Sequence, residues 1–267
     1  MRLRFLFYLN RSEASDRSVS AMARVFGTSK STISRNIDVF VNQGIVIYGS
    51  MELTGLGKSL AEKYEKEVFE IRNYLAALTG KTPEDMTTDA IQMVLNVSEQ
   101  TVQSIMEKQK VQNLKNQLDD KTHPRTEEVL TVIEDGIYHL PFTIYRENME
   151  DVQRGYTSMA DWGFEHPVKV IVENGSAMIA LKAVTLERRS FMEDLIIRGK
   201  LLRMKYLAGK EYIETRQEGD TYYFPLSALE FTFHKGENML QGSTKLMMES
   251  PMKKQKHIRA AVFTLFF

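Results

Sequence analysis

Residues 19–54 read VSAMARVFGTSKSTISRNIDVFVNQGIVIYGSMELT, and the order of apolar, polar and glycine positions in this stretch decides the fold of the N-terminal part. Three apolar residues recur at helical spacing before Gly27, which predicts a short helix that ends at this glycine. They are Met22, Val25 and Phe26. A second helix is expected next, because a second apolar stripe follows at the same spacing. It consists of Ile33, Ile37, Phe40 and Val41.

The first turns of the second predicted helix are polar. Thr28 or Ser29 can cap it, since both side chains carry an oxygen that accepts from a free backbone N–H. These are the turns that a recognition helix places in the major groove of DNA. The side chains that we expect there are Ser29, Lys30, Ser31, Thr32, Ser34 and Arg35.

A short hairpin is predicted after Gly44. Residues 45–48 and 51–54 are the two arms, and Gly49 and Ser50 form the turn. Such a wing would lie beside the phosphates, with Tyr48 among the contact residues. Helix, turn, helix and hairpin together predict a winged helix-turn-helix; the alternative is an ordinary helical hairpin of a globular protein.

The composition fits a globular chain with two domains. With 267 residues and 43% hydrophobic content, the chain can bury a sizeable core and most naturally divides into two domains. Basic and acidic residues both number 35, so the formal net charge is zero. Residues 1–50 nevertheless carry seven basic against three acidic side chains. This local surplus suits contact with a polyanion, and its strength should fall as salt rises.

Cysteine is absent, which excludes disulfides and thiolate metal sites and is compatible with a reducing cytoplasm. The amino terminus, MRLRFLFYLN, joins basic to apolar residues, but its apolar run before Asn10 is only five residues long. That run is too short for a signal peptide. No stretch approaches the ~20 apolar residues of a membrane span. We therefore expect a cytoplasmic protein without a membrane partner.

Residues 55–118 show helical periodicity with few glycines or prolines. Thr54 is expected to cap a long amphipathic helix that stops at Gly80. Two further helices are expected, one after Pro83 and one that opens at Ser98. We expect these helices to bury a homodimer seam. The alternative is a helical layer packed within one monomer.

The hydrophobic period changes in the C-terminal half. Residues 119–132 are mostly polar and are predicted to form a linker. Beyond them, apolar residues alternate with polar ones, as in half-buried strands. Asn174 and Gly175 lie between two such runs, which predicts a tight hairpin. About eight short strands within residues 133–267 favour a β-sandwich or barrel.

The first half resembles the diphtheria-toxin-repressor (DtxR-type) family of iron- or manganese-dependent regulators over residues 19–105. The resemblance rests on VSAMARVFGTSKSTISRNIDVFVNQGIVIY, ELTGLGKSLAEKY and LTGKTPED. It implies a dimer that binds a palindromic operator under the control of a bound metal. The positions that correspond to the family's metal ligands are Arg2, Phe5, Phe69, Ile91, Val94 and Leu95. None supplies the carboxylate or imidazole donors that Mn²⁺ and Fe²⁺ need, so we expect the metal switch to be lost or replaced elsewhere.

The second half resembles near-iron-transporter (NEAT) domains over residues 133–267. The motifs EDGIY, TSMA, PVKV and GDTYYFPL occur in the order seen in those domains. The resemblance implies an immunoglobulin-like sandwich that binds haem. Haem-binding members hold the iron with a tyrosine of a Y-x-x-x-Y pair in the last hairpin, but residues 252–259, MKKQKHIR, contain no tyrosine.

Four residues are the haem-binding candidates that this resemblance implies. Lys253 and His257 occupy the positions of the tyrosine pair, and Ser158 and Met159 fall on the short helix that covers the haem. Histidine is a good axial ligand of haem iron. The alternative for His257 is an ordinary solvated residue of a hairpin.

The fold class that we predict is α+β and multidomain. A winged helix-turn-helix DNA-binding domain at 1–54 precedes a helical dimerisation domain at 55–118. The linker at 119–132 leads to an all-β immunoglobulin-like sandwich at 133–267, which acts as a sensor or interaction domain.

Two functions remain open. The first is a homodimeric regulator of transcription that binds double-stranded DNA and controls iron, haem or metal homeostasis genes. The second is a haem or iron-compound binding protein in which the winged helix is mainly a dimerisation scaffold. We expect no enzyme, because no nucleotide-binding loop, nucleophile elbow or zinc helix occurs in the sequence. The DNA contacts of the first hypothesis are Thr28, Ser29, Lys30, Ser31, Thr32, Ser34, Arg35 and Tyr48.

Overall fold

The chain, taken from a computed structural model, contains seven α-helices and thirteen β-strands within its described residues. It divides into two compact units, Met1–Gln109 and Lys110–Phe267. The first unit is helical and the second is built mainly on antiparallel sheets, so the chain is an α+β protein. None of the described helices has both the length and the apolar character needed to cross a membrane. The residues described are 2–147, 156–189, 196–199, 201–252 and 255–267.

One hydrophobic core holds the helices of the first unit together. Its completely buried side chains come from five different helices and include Phe5, Met22, Ile33, Ile71 and Ala90. The helices are α1 (Arg2–Arg11), α2 (Val19–Val25), α3 (Lys30–Asn42), α4 (Gly55–Thr79), α5 (Thr87–Asn96) and the first part of α6 (Glu99–Leu118).

The ends of α4 lie where the sequence predicts them. The Thr54 side chain accepts a hydrogen bond from Gly57 N at 3.0 Å, and Gly80 ends the helix in the left-handed conformation with φ +68°. Helix α5 begins at Thr87, four residues later than Pro83. The intervening residues form a turn in which Met86 N donates to Pro83 O at 3.2 Å, so the proline initiates a turn before the helix.

The apolar stripe of α4 packs mainly within the first unit. Val68 and Ile71 are buried, and Leu60, Tyr64 and Leu75 pack against the same core. A different apolar position was predicted wrongly: Val25 of α2 is 60% exposed. Helix α2 has only seven residues, and its contact with the core comes from Met22 and from Phe26, whose ring centroid lies 4.6 Å from that of Phe5.

Two antiparallel sheets and a separate strand pair make up the second unit. One sheet has the order β1-β3-β4-β10-β9; the other has the order β2-β13-β12-β7-β8, with β11 also paired to β12; β5 pairs with β6. Their bounds are β1 (Gly136–Leu140), β2 (Phe142–Arg146), β3 (Val168–Glu173), β4 (Ser176–Lys182), β5 (Leu186–Arg189), β6 (Ile196–Gly199), β7 (Arg203–Ala208), β8 (Glu211–Glu214), β9 (Arg216–Glu218), β10 (Thr221–Pro225), β11 (Glu230–His234), β12 (Met239–Met252) and β13 (Gln255–Phe266).

The two large sheets share one hydrophobic core. Phe224 of β10 meets Phe263 of β13 edge to face, with ring centroids 5.5 Å apart. Tyr138 and Tyr222 are fully buried, and their hydroxyls donate to the backbone oxygens of Glu134 and Leu201. Each buried hydroxyl is therefore satisfied, as a buried polar group must be.

The β3–β4 hairpin confirms the turn predicted at Asn174 and Gly175. Both residues have positive φ, +52° and +73°, which suits a two-residue hairpin turn. The β12–β13 hairpin is longer than the sequence indicates, with twelve residue pairs from Gln241↔Phe266 to Met252↔Gln255.

The segment 119–132, expected to be a linker, contains helix α7 (Thr126–Val132). Val129 of this helix is completely buried in the core of the second unit. The end of α6 adds Leu114 and Leu118 to the same core. The linker prediction, which rested on polar composition, was therefore wrong for this helix, because the apolar residues of α7 pack against that core: Leu130 and Val132 contact it beside Val129.

Candidate functional site

A serine caps the start of each of the helices α2 and α3, and a glycine lies in the turn between them. Ser18 accepts from Ala21 N at 3.1 Å and starts α2, and Ser29 accepts from Thr32 N at 3.1 Å and starts α3. Gly27 has φ +59°, a conformation that costs glycine little. The two predicted helices and the turn between them are present, with Ser29 rather than Thr28 as the cap of the second helix.

Three hydroxyls meet at the start of α3. Ser29 Oγ lies 2.8 Å from Ser31 Oγ and 2.9 Å from Thr32 Oγ1, and either atom of each pair can donate. The cluster lies beside the first turn, where the helix dipole and free N–H groups favour a negative partner. A rotation of the hydroxyls would turn their donors outward without a change in the backbone.

Two cations stand on the same end of α3. Lys30 and Arg35 are exposed, and neither forms an ion pair with any residue that the structure describes. Ser31 and Ser34 are also exposed, whereas Thr28 and Thr32 are half-buried. The predicted contact residues of this segment therefore share one solvent-facing end of a helix.

The opposite face of α3 fixes its position. Ile33, Ile37 and Phe40 are buried in the core. On the flank, Asn36 receives a hydrogen bond from Arg2 Nε at 3.2 Å and donates to Thr32 O at 2.7 Å. Asn36 and Arg2 were not among the predicted site residues. Their hydrogen bond links α1 to α3. Because the two residues are 34 positions apart in sequence, local sequence patterns do not predict this bond.

The segment after α3 doubles back as a minimal hairpin. Val46 and Leu53 form a single bridge and are both buried. Ile47 N donates to Glu52 O at 2.8 Å, and Thr54 N donates to Ile45 O at 3.0 Å. Tyr48 at the tip is 85% exposed.

The six positions that the resemblance assigned to metal ligands do not form a metal site. Phe5, Ile91 and Val94 are buried in the core, whereas Phe69 and Leu95 are about half exposed. Arg2 is bonded to Asn36. Within the described part of the chain, no three histidine, aspartate or glutamate side chains lie close enough to hold a metal ion.

Buried carboxylates do occur on α4, where the sequence suggested none. Glu67 and Glu70 are less than 10% exposed. Glu67 lies 3.9 Å from Lys63 Nζ, which itself bonds Glu99 at 2.6 Å, and it accepts from Gln103 Nε2 at 3.4 Å. Burial raises the pKa of Glu67, and Lys63 opposes that rise. Lys63 thus pairs with both Glu67 and Glu99.

Ser158 and Met159 lie beside the edge of the second sheet. Ser158 N donates to Ile144 O at 2.7 Å, and the Ser158 hydroxyl accepts from Ala160 N at 3.2 Å. A 3-10 turn, Asp161–Gly163, follows them, so a short helix occurs near the predicted place. Met159 is 48% exposed and the single tryptophan, Trp162, is 75% exposed.

The other two haem candidates belong to the β12–β13 hairpin of the sequence. Lys253 lies outside the described residues, and His257 lies on β13 opposite Ser250. Ile144, which bonds Ser158, pairs with Phe263. Phe263 is six residues from His257 along β13, which is about 20 Å at ~3.3 Å per residue. The backbone register therefore separates the strand positions of Ser158 and His257 by about 20 Å, and whether they share one haem site stays a prediction.

The solved structures that are similar to the chain include three at 13–14% identity. One is a manganese-dependent transcriptional repressor in complex with manganese, at 13% identity and a TM-score of 0.38, covering 74% of this chain and 94% of that chain. The second is the NEAT5 domain of IsdX2, a B. anthracis hemophore, in complex with heme, at 14% identity and a TM-score of 0.32, covering 50% and 97%. The third is a mutant of that domain in complex with heme, at 14% identity and a TM-score of 0.33, covering 50% of this chain and 96% of that chain.

Both families named from the sequence occur among these structures. No family model and no curated protein matches the chain.

Proposed function

We propose that this chain is a DNA-binding regulator of transcription that reads duplex DNA with the N-terminal turns of α3 in a winged helix-turn-helix. The observation that carries the proposal is the exposed polar end of α3, where Lys30 and Arg35 flank a cluster of three hydroxyls. Arginine and lysine form hydrogen bonds to phosphates and to guanine edges, and hydroxyls can bond phosphates or base edges. The buried face of α3 supports the proposal, because it holds these groups in one orientation.

The electrostatics favour a modest, salt-dependent contact. The chain has no net charge, so affinity must come from the local basic surplus of residues 1–50 rather than from a global field. Log K falls as log salt rises, and each phosphate contact that is removed should reduce the magnitude of this slope by about one. A homodimer would double this contact on a palindromic operator.

The test is a gel-shift and salt titration with the full chain and a duplex that it selects from a randomised library. Arg35→Ala and Lys30→Ala should each weaken retention and lower the salt slope. Lys66→Ala is the matched control, because Lys66 is an exposed cation in the middle of α4. Equal retention of the duplex by all three variants would show that α3 does not contact the DNA.

A homodimer is part of the proposal. Helices α4 and α5 leave Phe69, Leu78 and Leu95 between 49% and 69% exposed, and these side chains are candidates for the seam. Leu78→Asp should shift sedimentation toward the monomer, whereas Leu56→Asp, an exposed leucine at the start of α4, should not. A monomeric wild-type chain at micromolar concentration would contradict this part.

The second unit is proposed to be the sensor or interaction domain, in an immunoglobulin-like sandwich. The apolar character of Phe5, Ile91 and Val94 supports this assignment, because the metal switch of the resembled repressors cannot operate there. The two resembled families point to iron, haem or metal homeostasis genes as the regulated set. Transcript levels of such genes with and without this protein test that part; unchanged levels would contradict it.

A further inference from the structure

The tip of the 45–54 hairpin presents an aromatic ring to solvent. Tyr48 is 85% exposed, more than any other large hydrophobic side chain in the described part of the chain. Gly49 and Met51 beside it have φ +88° and +57°, and Ser50 Oγ accepts from Glu52 N at 3.3 Å. The backbone of the tip is thus held in a specific turn that leaves the ring outside.

The hairpin cannot bind phosphates by charge. Residues 45–54 contain no lysine or arginine and one acid, Glu52. A wing that grips the DNA backbone electrostatically needs basic side chains. Its exposed side chains include two large hydrophobic ones, since Ile47 is 46% exposed beside Tyr48.

The hairpin starts where α3 ends. Ile45 N and Val46 N both donate to Phe40 O, at 2.8 and 3.3 Å. Helix α3 has 13 residues and is therefore about 20 Å long at ~1.5 Å per residue. Half of a ~34 Å turn of DNA, about 17 Å, separates a major groove from the flanking minor groove. The N-terminal turns of α3 and the hairpin at its C-terminal end are therefore far enough apart to contact a major groove and the neighbouring minor groove.

We propose that Tyr48 enters the minor groove that flanks the site read by α3, and that it selects A·T pairs there. This inference rests on the proposed function. The ring packs between the deoxyribose walls of a groove about 6 Å wide, and its hydroxyl donates to the adenine N3 or thymine O2 acceptor. The amino group of guanine projects into the same groove and obstructs the ring. Proteins that bind the minor groove frequently insert apolar side chains there, between base steps.

The test uses the duplex selected by the full chain and two versions of it, with A·T-only and G·C-only flanks. Wild type should bind the A·T-flanked duplex about tenfold more tightly, the scale of one well-made base contact. Tyr48→Ala should lose this preference, whereas Tyr48→Phe should keep part of it. The salt slope should stay unchanged in both variants, because no charge is removed.

The controls separate this inference from the proposed function. Glu52→Gln tests whether any change in the hairpin alters flank preference, and its preference should match wild type. Thermal midpoints of Tyr48→Ala and wild type should agree, since the side chain is exposed. Equal flank preference in Tyr48→Ala and wild type would overturn the inference while Arg35→Ala still loses binding. If Tyr48→Phe and Tyr48→Ala lose affinity equally on both flanks, the hydroxyl contacts phosphate and the inference is also wrong.

Discussion

Gly57 of α4 lies so close to the backbone carbonyl oxygen of Ile45 that a methyl group at position 57 would overlap it. Thr54 closes the same junction, because its hydroxyl donates to Gly44 O at 2.6 Å and accepts from Gly57 N at 3.0 Å. The start of α4 is thus pressed against the start of the hairpin that follows α3. This contact holds the proposed wing in place.

Gly57→Ala should therefore destabilise the first unit. Overpacking of this kind costs about 1–3 kcal/mol, because neither backbone can yield cheaply. The control is Gly55→Ala in the same helical turn, where an added methyl group meets no atom within 4 Å. Urea unfolding followed by far-ultraviolet circular dichroism measures both; equal midpoints for the two variants would contradict the close contact.

The helix-turn-helix could be predicted from the sequence because its signals are local. Serine caps and a positive-φ glycine act within four residues, and the stripe of α3 needs only the helical period. The exposure of Val25 could not be predicted in this way, since it depends on which neighbours a seven-residue helix meets. The Arg2–Asn36 bond likewise joins residues of different helices.

In the second unit, too, local features could be predicted from the sequence and long-range pairings could not. The turn at Asn174 and Gly175 is encoded by two residues with favourable positive φ. The order of the strands in the sheets is not encoded locally, because β1 pairs with β3 rather than with β2, and β2 pairs with β13 across more than 100 residues. Whether Ser158 and His257 share a site depends on that long-range register, which hydrophobic alternation does not specify.

Glu128 at the start of α7 predicts an acid-sensitive contribution to stability. Hydrogen bonds from Arg125 N and Lys121 Nζ lower its pKa from 4.5 to about 2. A carboxylate with a lowered folded-state pKa stabilises the fold above its unfolded pKa, and that contribution is lost as the pH falls through the folded value. The stability difference between wild type and Glu128→Gln should be full above pH 4.5 and should shrink toward pH 2.

Glu127→Gln is the matched control for Glu128. Glu127 is the adjacent exposed residue, and its carboxylate bonds no residue in the described part of the chain. Unfolding free energies of the three proteins from pH 6 to pH 2.5 measure the effect. A wild-type to Glu128→Gln difference that stays constant over this window would contradict the low pKa.

Manganese should not control DNA binding in this chain. The buried positions Phe5, Ile91 and Val94 offer only hydrocarbon, and Mn²⁺ requires oxygen or nitrogen donors. The affinity for the selected duplex should be the same with added Mn²⁺ and with a chelator. Tighter binding that depends on Mn²⁺ and survives Phe5→Leu would show a metal site made by other residues.

Hemin should not bind at a site made jointly by Ser158 and His257. The register places Ile144, the hydrogen-bond partner of Ser158, opposite Phe263, about 20 Å from His257 at ~3.3 Å per residue. We expect no saturable Soret band that both Ser158→Ala and His257→Ala weaken, whereas a band lost in both variants would show that the two residues meet. A band lost only in His257→Ala would place an axial ligand on β13 alone, so the two single variants distinguish a shared pocket from a lone histidine.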